Sequence, residues 1–380
     1  MIHQVFRLVP RKGSGLHLGR EGLDLEKSVE SFPSDSLFAA MVGLYARLFG
    51  PEAVADFLAQ WPTESHPERT PPFRHTSLFP FAGKLLLFPM PRMRVELSEE
   101  EAKQRPRVGK MMKKITYVSP GILERLLHGK PMNDWLPETL EDTNAEGLLL
   151  QGGHIWIAKE EWEQLPKELR KDAKDYPPDV RLWKVGQVPR VTVDRRSNRS
   201  AIYRVGRTVF SEECGLWLMA EGSSEGLDQL NMLLVHLTDE GIGGLRNVGY
   251  GAFKLRGPEE FPRASLLNKR DASYALLLSR YNPTPQEWQA GVLGVDEADR
   301  YHVSYELVDV GGWLYSPQAP AQRRKRVRMI EAGSVVRAPQ PLVGRLVDVR
   351  PKYDGTGAGV PHPVYRSGIA FTLGMAARGH

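Results

Sequence analysis

The stretch GIGGLRNVGYGAF (241–253) constrains the order of elements that any fold of this chain must accommodate. Five glycines fall within residues 241–251, with Arg246 and Asn247 among them and Tyr250 and Phe253 at the exit. A backbone this rich in glycine takes positive φ angles and admits a ligand close to main-chain N–H groups. Upstream, Leu227, Leu230, Leu234 and Leu237 recur at three- and four-residue spacing and predict one apolar helical face. Downstream, Ala252 to Arg256 predicts a short strand ended by Gly257-Pro258. The unit is helix, glycine loop, strand. A dinucleotide fingerprint runs the other way and needs a glycine where Arg246 stands; a phosphate-binding P-loop needs Gly-Lys-Ser/Thr leading into a helix. A bland loop with a helix cap at Gly241 needs one glycine, not five.

The N-terminal end mirrors this order. MIHQVFRLVPR (1–11) alternates like a strand, and KGSGLHLGREG (12–22) is a glycine-containing loop. SDSLFAAMVGLYARLFG (34–50) predicts a helix with Ser34 as N-cap, Asp35 at its positive end and Gly50-Pro51 as its stop. Strand, loop, helix at one end and helix, loop, strand at the other predict a βαββαβ, ferredoxin-like unit.

Between them lies a long middle. FPFAGKLLLFPMPRM (79–93) predicts a strand bent by prolines, and KQRPRVGKMMKK (103–114) carries six basic residues and no acid. Residues 182–211 predict two strands joined by a polar turn at Ser197-Asn198. From Arg181 to Arg207 there are eight basic side chains against one acid, Asp194. A basic face is often only a solvated one. Here Trp183 and Tyr203 are interleaved, the mixture that follows a single strand's phosphates and stacks its bases.

After Gly257-Pro258 the strand candidates are 271–281, 301–311 and 344–351, with a short helix from Pro285, a basic run at 322–329 and a loop over 352–368. The expected fold class is α+β, with two ferredoxin-like domains. The first, 1–256, holds a large insertion of about 80–211 that includes the basic hairpin; the second is 257–380.

Composition narrows the function. Cys214 is the only cysteine, which excludes a disulfide framework and a cysteine metal cluster. No apolar run approaches the roughly 18 residues of a membrane span, so a cytoplasmic protein without membrane partners is expected. The net charge of +5 is mild, but its concentration in the hairpin is not. His17, His154, His236, His302 and His362 are scattered, and no metal-ligand spacing or nucleophile elbow accompanies them. No cofactor is expected. His17 sits in a basic, glycine-containing loop where a general base could act on RNA, or where an ordinary hydrogen bond suffices.

SDSLFAAM (34–41), VPRVTVDR (188–195), DEGIGGLRNVGYGAF (239–253), GGW (311–313) and HPVYRSG (362–368) occur in the order seen in the RAMP superfamily of CRISPR proteins. More narrowly, the chain resembles the subunit of the type III-A Csm effector complex that caps the guide RNA. The resemblance implies a protein without nuclease activity that holds the crRNA 5′ handle and bridges the large polymerase-like subunit to the backbone RAMP subunit. Carried over by motif, the RNA-binding positions are Gly243, Gly244, Arg246, Tyr250 and Gly251 in the loop, and Arg190 and Arg195 in the hairpin. Ser34, Asp35, Tyr365 and Arg366 stand in further motifs, where capping and packing compete with RNA contact. The alternative is a metal-independent endoribonuclease that cuts CRISPR repeat RNA with His17 as base. A protein-only scaffold leaves the basic hairpin without a purpose.

Overall fold

A continuous apolar run, buried on both faces along almost its whole length, makes Cys214–Gly222 the central strand of the main sheet. The computed structural model describes residues 2–19, 25–93, 95, 108–139, 142, 144–172, 179–196, 199–267, 272–316, 319–351, 360 and 362–375. Ile2–Pro10 pairs antiparallel with one edge of the central strand, matching Val5 to Met219 and Leu8 to Leu216. Phe79–Ala82 pairs with the other edge, and Phe253–Glu260 joins the outer side of Ile2–Pro10. Across the sheet the order is 253–260, 2–10, 214–222, 79–82, 85–86.

The two faces of this sheet bury different things, as a period of two requires. Phe6, Leu8, Leu216, Leu218 and Phe253 meet the helices Ser34–Ala59 and Ser224–Glu240 through Leu37, Phe38, Met41, Leu230 and Leu234. On the opposite face, Val5, Trp217 and Met219 join one apolar core with the insertion (Phe88, Leu149, Trp156) and the C-terminal strands (Leu276, Val335, Leu373). Each fully buried side chain of this size contributes roughly 1.5–3 kcal/mol, so the sheet is the common wall of three substructures.

The insertion folds on its own four-stranded sheet, ordered 88–89, 117–118, 155–158, 147–150, with the helix Pro120–Leu127 against it. From it rises the hairpin, Trp183–Val193 paired with Ser200–Phe210. Its turn at Ser197-Asn198 and the basic stretch 103–107 lie outside the described residues. The C-terminal part is mostly strands: a three-stranded sheet, three two-stranded pieces and, among the described residues, one α-helix, Pro285–Gln289. The architecture is mixed α+β.

Several local expectations change. Ser34 is not the N-cap: Pro33 occupies that position without a side-chain cap, and Ser34 faces the interior. Gly50 (φ 85°) does break the helix, but the chain restarts at Pro51 and continues to Ala59. Residues 79–93 form three short strands because the turn at Gly83 (φ 59°) folds the run back on itself. The strand after the glycine loop passes through Gly257-Pro258 to Glu260; it is an edge strand, where proline breaks no ladder. Residues 301–311 contain a strand only at Leu307–Val310. Ser34–Ala59 is the one described helix long and apolar enough to cross a membrane by length and composition; it is broken at Gly50 and packs its apolar residues into the core.

His75 lies in this core, its Nδ1–H donating to the Thr76 carbonyl at 2.9 Å, and burial pushes its imidazole down to about 4. The unfolded chain protonates this group near 6.5, so between the two values it binds a proton that the folded chain refuses. Stability is therefore lost as pH falls from about 6.5 towards 4, by roughly 2.5 kcal/mol at pH 4.5 from this group alone. Urea unfolding at pH 7.5 and pH 4.5 is expected to show that loss in the wild type and a smaller one in His75→Gln.

Candidate nucleic-acid interface

The glycine loop is held against the N-terminal loop, and most of its glycines serve that contact. Gly241, Gly243, Gly249 and Gly251 have φ between 76° and 88°, and Leu245 is also left-handed at 58°. A Cβ at Gly243 would stand 2.5 Å from the His17 carbonyl, and one at Gly244 would stand 2.8 Å from the His17 ring. Gly244 N–H donates to the His17 carbonyl at 2.9 Å, and Gly251 N–H to the Gly15 carbonyl at 3.0 Å. Those two amides are engaged within the chain rather than open to a ligand, which corrects the backbone-cradle expectation at Gly244 and Gly251. The amides of Gly243, Leu245, Arg246 and Asn247 have no intrachain acceptor among the described residues.

His17 is the clamp between three segments. Its Nδ1–H donates to the Gly206 carbonyl at the hairpin base at 2.8 Å, while its own carbonyl receives Gly244. Only 6% of the residue is exposed, yet it contributes to the wall of a cleft.

That cleft, about 1090 Å³, runs between the glycine loop, the first long helix and the C-terminal part. Gly243, Gly244 and Arg246 line it from one side, Ser36, Ala40 and Arg47 from the helix, and Trp313 from across the junction. Glu240 holds both arginines: Arg47 donates to it twice, and Arg246 approaches at 3.4 Å.

The hairpin presents two unlike faces. Cross-strand pairing sets Arg190 opposite Tyr203 on one face and Val191 opposite Ile202 on the other. The Arg190 guanidinium lies 5.6 Å from the Tyr250 ring, so the basic face of the hairpin meets the glycine loop. Tyr250 is buried at 6% exposure; the structure places it under Arg190 rather than free to stack on a base. Tyr203 is exposed at 40%, and Arg195 is exposed beyond the strand end.

Three further candidates are buried and a fourth is only partly exposed. Asp35 is fully buried and accepts from Arg280 at 3.1 Å and from Arg366 at 3.0 Å. Arg280 also donates to Glu331 at 2.8 Å, and its backbone N–H donates to the Ser34 hydroxyl at 2.9 Å. Burial opposes the charge on Arg280, but Asp35 and Glu331 outweigh it and hold this guanidinium above its ordinary value. Arg366 is pulled below its ordinary value by burial, with Asp35 only partly offsetting. Ser34, Asp35 and Arg366 thus fasten the first helix to the C-terminal strands and leave no surface for an RNA phosphate. Tyr365 is half-buried, packed against the helix core, and burial raises its phenol.

Arg280 and Trp313 were not among the sequence candidates. The signal for Arg280 was a lone arginine inside the apolar run YALLLSRY (274–281); for Trp313, only its place in GGW.

The family model described as "CRISPR Csm4 C-terminal domain" matches residues 270–375. A Mycobacterium tuberculosis protein named "CRISPR system Cms protein Csm4" is 28% identical over 351 residues, covering 92% of this chain and 91% of the relative. A protein of the same name from Methanocaldococcus jannaschii is 24% identical over 369 residues, covering 91% and 89%. Among solved structures, the crystal structure of a Csm3-Csm4 subcomplex in the type III-A CRISPR-Cas interference complex is similar in fold, with a TM-score of 0.62 at 18% identity, covering 98% of this chain and 99% of that one. A Csm1-Csm4 cassette in complex with cA4 matches with a TM-score of 0.53 at 18% identity, covering the whole of both chains.

Two substitutions separate the uses of glycine in the loop. Gly244→Val forces a branched side chain onto the buried His17 ring and is expected to cost roughly 1–3 kcal/mol. Gly249→Ala meets nothing within 4 Å but keeps φ 88°, so about 1–2 kcal/mol is expected from the backbone alone. Thermal melting of both variants checks the order. Asp35→Ala leaves two buried guanidiniums short of a carboxylate and is expected to cost about 3–5 kcal/mol in denaturant unfolding.

Proposed function

We propose that this chain, Csm4-like along nearly its whole length, is the subunit of a type III-A Csm effector complex that holds the crRNA 5′ handle. In this reading it joins the large polymerase-like subunit to the backbone RAMP subunits in the cytoplasm and has no nuclease activity of its own. The observation that carries it is the docking of the basic hairpin on the glycine loop through Arg190 and Tyr250. That contact sets a row of cations beside a groove whose wall offers main-chain N–H groups, the combination that positions a single strand by its phosphates. Named relatives that align over most of the chain, and neighbours solved with Csm3 and with Csm1, support the partner assignment.

The strand order 253–260, 2–10, 214–222, 79–82 with its two helices is that of a βαββαβ unit, which supports the first ferredoxin-like domain. The closing strand runs to Glu260, which supports a boundary slightly beyond 256. The C-terminal part is read as a second, strand-rich version, with its helices reduced.

The RNA-contacting set is redrawn by burial. Arg190, Arg195, Arg246 and the Gly243 backbone remain; of the two tyrosines of a type to stack on a base, the exposed Tyr203 keeps that role and the buried Tyr250 supports Arg190. His17 is assigned to joining loops rather than to proton transfer, because the residue is buried between the hairpin and the glycine loop and bonds to both, through Nδ1–H to Gly206 and through its carbonyl from Gly244.

Binding of single-stranded handle RNA at graded salt tests the reading. Each of Arg190→Ala and Arg195→Ala is expected to weaken binding and to lower the log–log salt slope by roughly 0.7. An unchanged slope places these arginines against protein or solvent. Repeat RNA cleaved by the purified chain, and not by His17→Ala, overturns the non-catalytic assignment.

A further inference from the structure

The cleft beside the glycine loop carries a feature that the hairpin does not explain. Trp313, from the C-terminal strand Trp313–Ser316, lines the same space as Arg47 and Arg246 of the N-terminal part. It is 46% exposed, a large apolar surface to leave in water, and its ring has the Arg323 guanidinium 5.5 Å away. An indole at a cleft wall wants a flat, polarisable partner.

The charge of the cleft points the same way. Arg47 gives Glu240 an Nε contact at 2.9 Å and a second, shorter one, while Arg246 reaches the same carboxylate at 3.4 Å. Two guanidiniums on one carboxylate leave one positive charge and several N–H donors unspent. Glu240 therefore orients the pair without neutralising it, and both arginines stay about half exposed, at 52% and 42% of their side chains. On the helix itself the cleft is lined by the small residues Ser36 and Ala40, which precede Arg47 on the same wall.

We infer that this cleft is a nucleotide subsite formed by both parts of the chain, with a base stacked on Trp313 and a phosphate held by Arg47 and Arg246. It rests on the RNA-binding reading above and deepens it: the base platform is Trp313, and Arg47 is a phosphate contact. A nucleotide joins an aromatic plane to an anion within one residue's length, which matches the two walls. The space, about 1090 Å³, admits more than one nucleotide, so the subsite serves a strand rather than a free mononucleotide. The buried Asp35 ion network fixes the spacing of the two walls, because it ties the helix bearing Arg47 to the C-terminal part bearing Trp313.

The test uses the full chain and fluorescent eight-nucleotide RNAs: oligo(A), oligo(C), oligo(U) and an abasic ribose-phosphate oligomer of the same length. Trp313→Ala is expected to weaken the base-bearing oligomers roughly 5- to 150-fold, to leave the abasic one unchanged, and to melt like the wild type. Trp313→Phe is expected to recover part of the loss. Arg47→Ala is expected to lower the salt slope by roughly 0.7 for all four oligomers without changing the preference for bases. Wild-type protein that binds none of them overturns the RNA-binding reading and the subsite together. Wild-type binding that Trp313→Ala leaves intact overturns the subsite alone. Binding of a poly-glutamate peptide in preference to every oligonucleotide assigns the cleft to an acidic protein segment and overturns it as well.

Discussion

The buried carboxylate of Asp35 is the interaction on which the arrangement of this molecule depends. It sits at the start of the first helix and accepts from two arginines of the C-terminal part, Arg280 just after the strand Tyr274–Leu277 and Arg366 within the strand Tyr365–Ile369. Desolvating three such charges is expensive, and the cost is met only because Glu331 completes a neutral group of four. A network of this kind adds little to stability over a packed apolar equivalent. Its geometry, however, allows one relative position of the two parts: a guanidinium displaced by an ångström or two would be left buried without its acceptor.

That fixed position is what makes a shared cleft possible. The glycine loop and Arg47 belong to one side, Trp313 to the other. The loop is itself immobilised from behind, where Gly243 and Gly244 let the backbone approach the His17 segment and His17 in turn grips the hairpin base at Gly206. Loop, N-terminal segment and hairpin therefore share one anchor. Glycine here works mainly by allowing protein to approach protein, and the amides of Gly243, Leu245, Arg246 and Asn247 are left without an acceptor among the described residues.

The hairpin shows how one element serves two environments. Strand alternation sorts Arg190 and Tyr203 to one face and Val191 and Ile202 to the other, and Val191 and Ile202 are exposed at 57% and 75%. The first face meets the glycine loop, where the Arg190 guanidinium lies over the Tyr250 ring.

Several things were determined by the sequence alone: the helix–glycine loop–strand order at 226–256, the matching strand and helix at the N-terminus, the hairpin with its excess of cations, and the family resemblance. All of these depend on local periodicity, turn chemistry or motif order, which neighbouring residues specify by themselves. Tertiary structure decided the rest. Ser34 and Asp35 have the composition of a helix cap, and only packing against residues 245 or more positions away turned them into the ends of a buried network. Tyr250 has the residue type for stacking, but whether its ring faces a base or Arg190 depends on where a hairpin some sixty residues earlier comes to rest. The fragmented strands of 79–93 and the small sheet inside 88–158 follow from long-range pairing, to which local pattern is blind. Trp313 shares a wall with Arg47 for the same reason: burial and charge pairing between distant segments are set by the whole chain, and no window of sequence contains them.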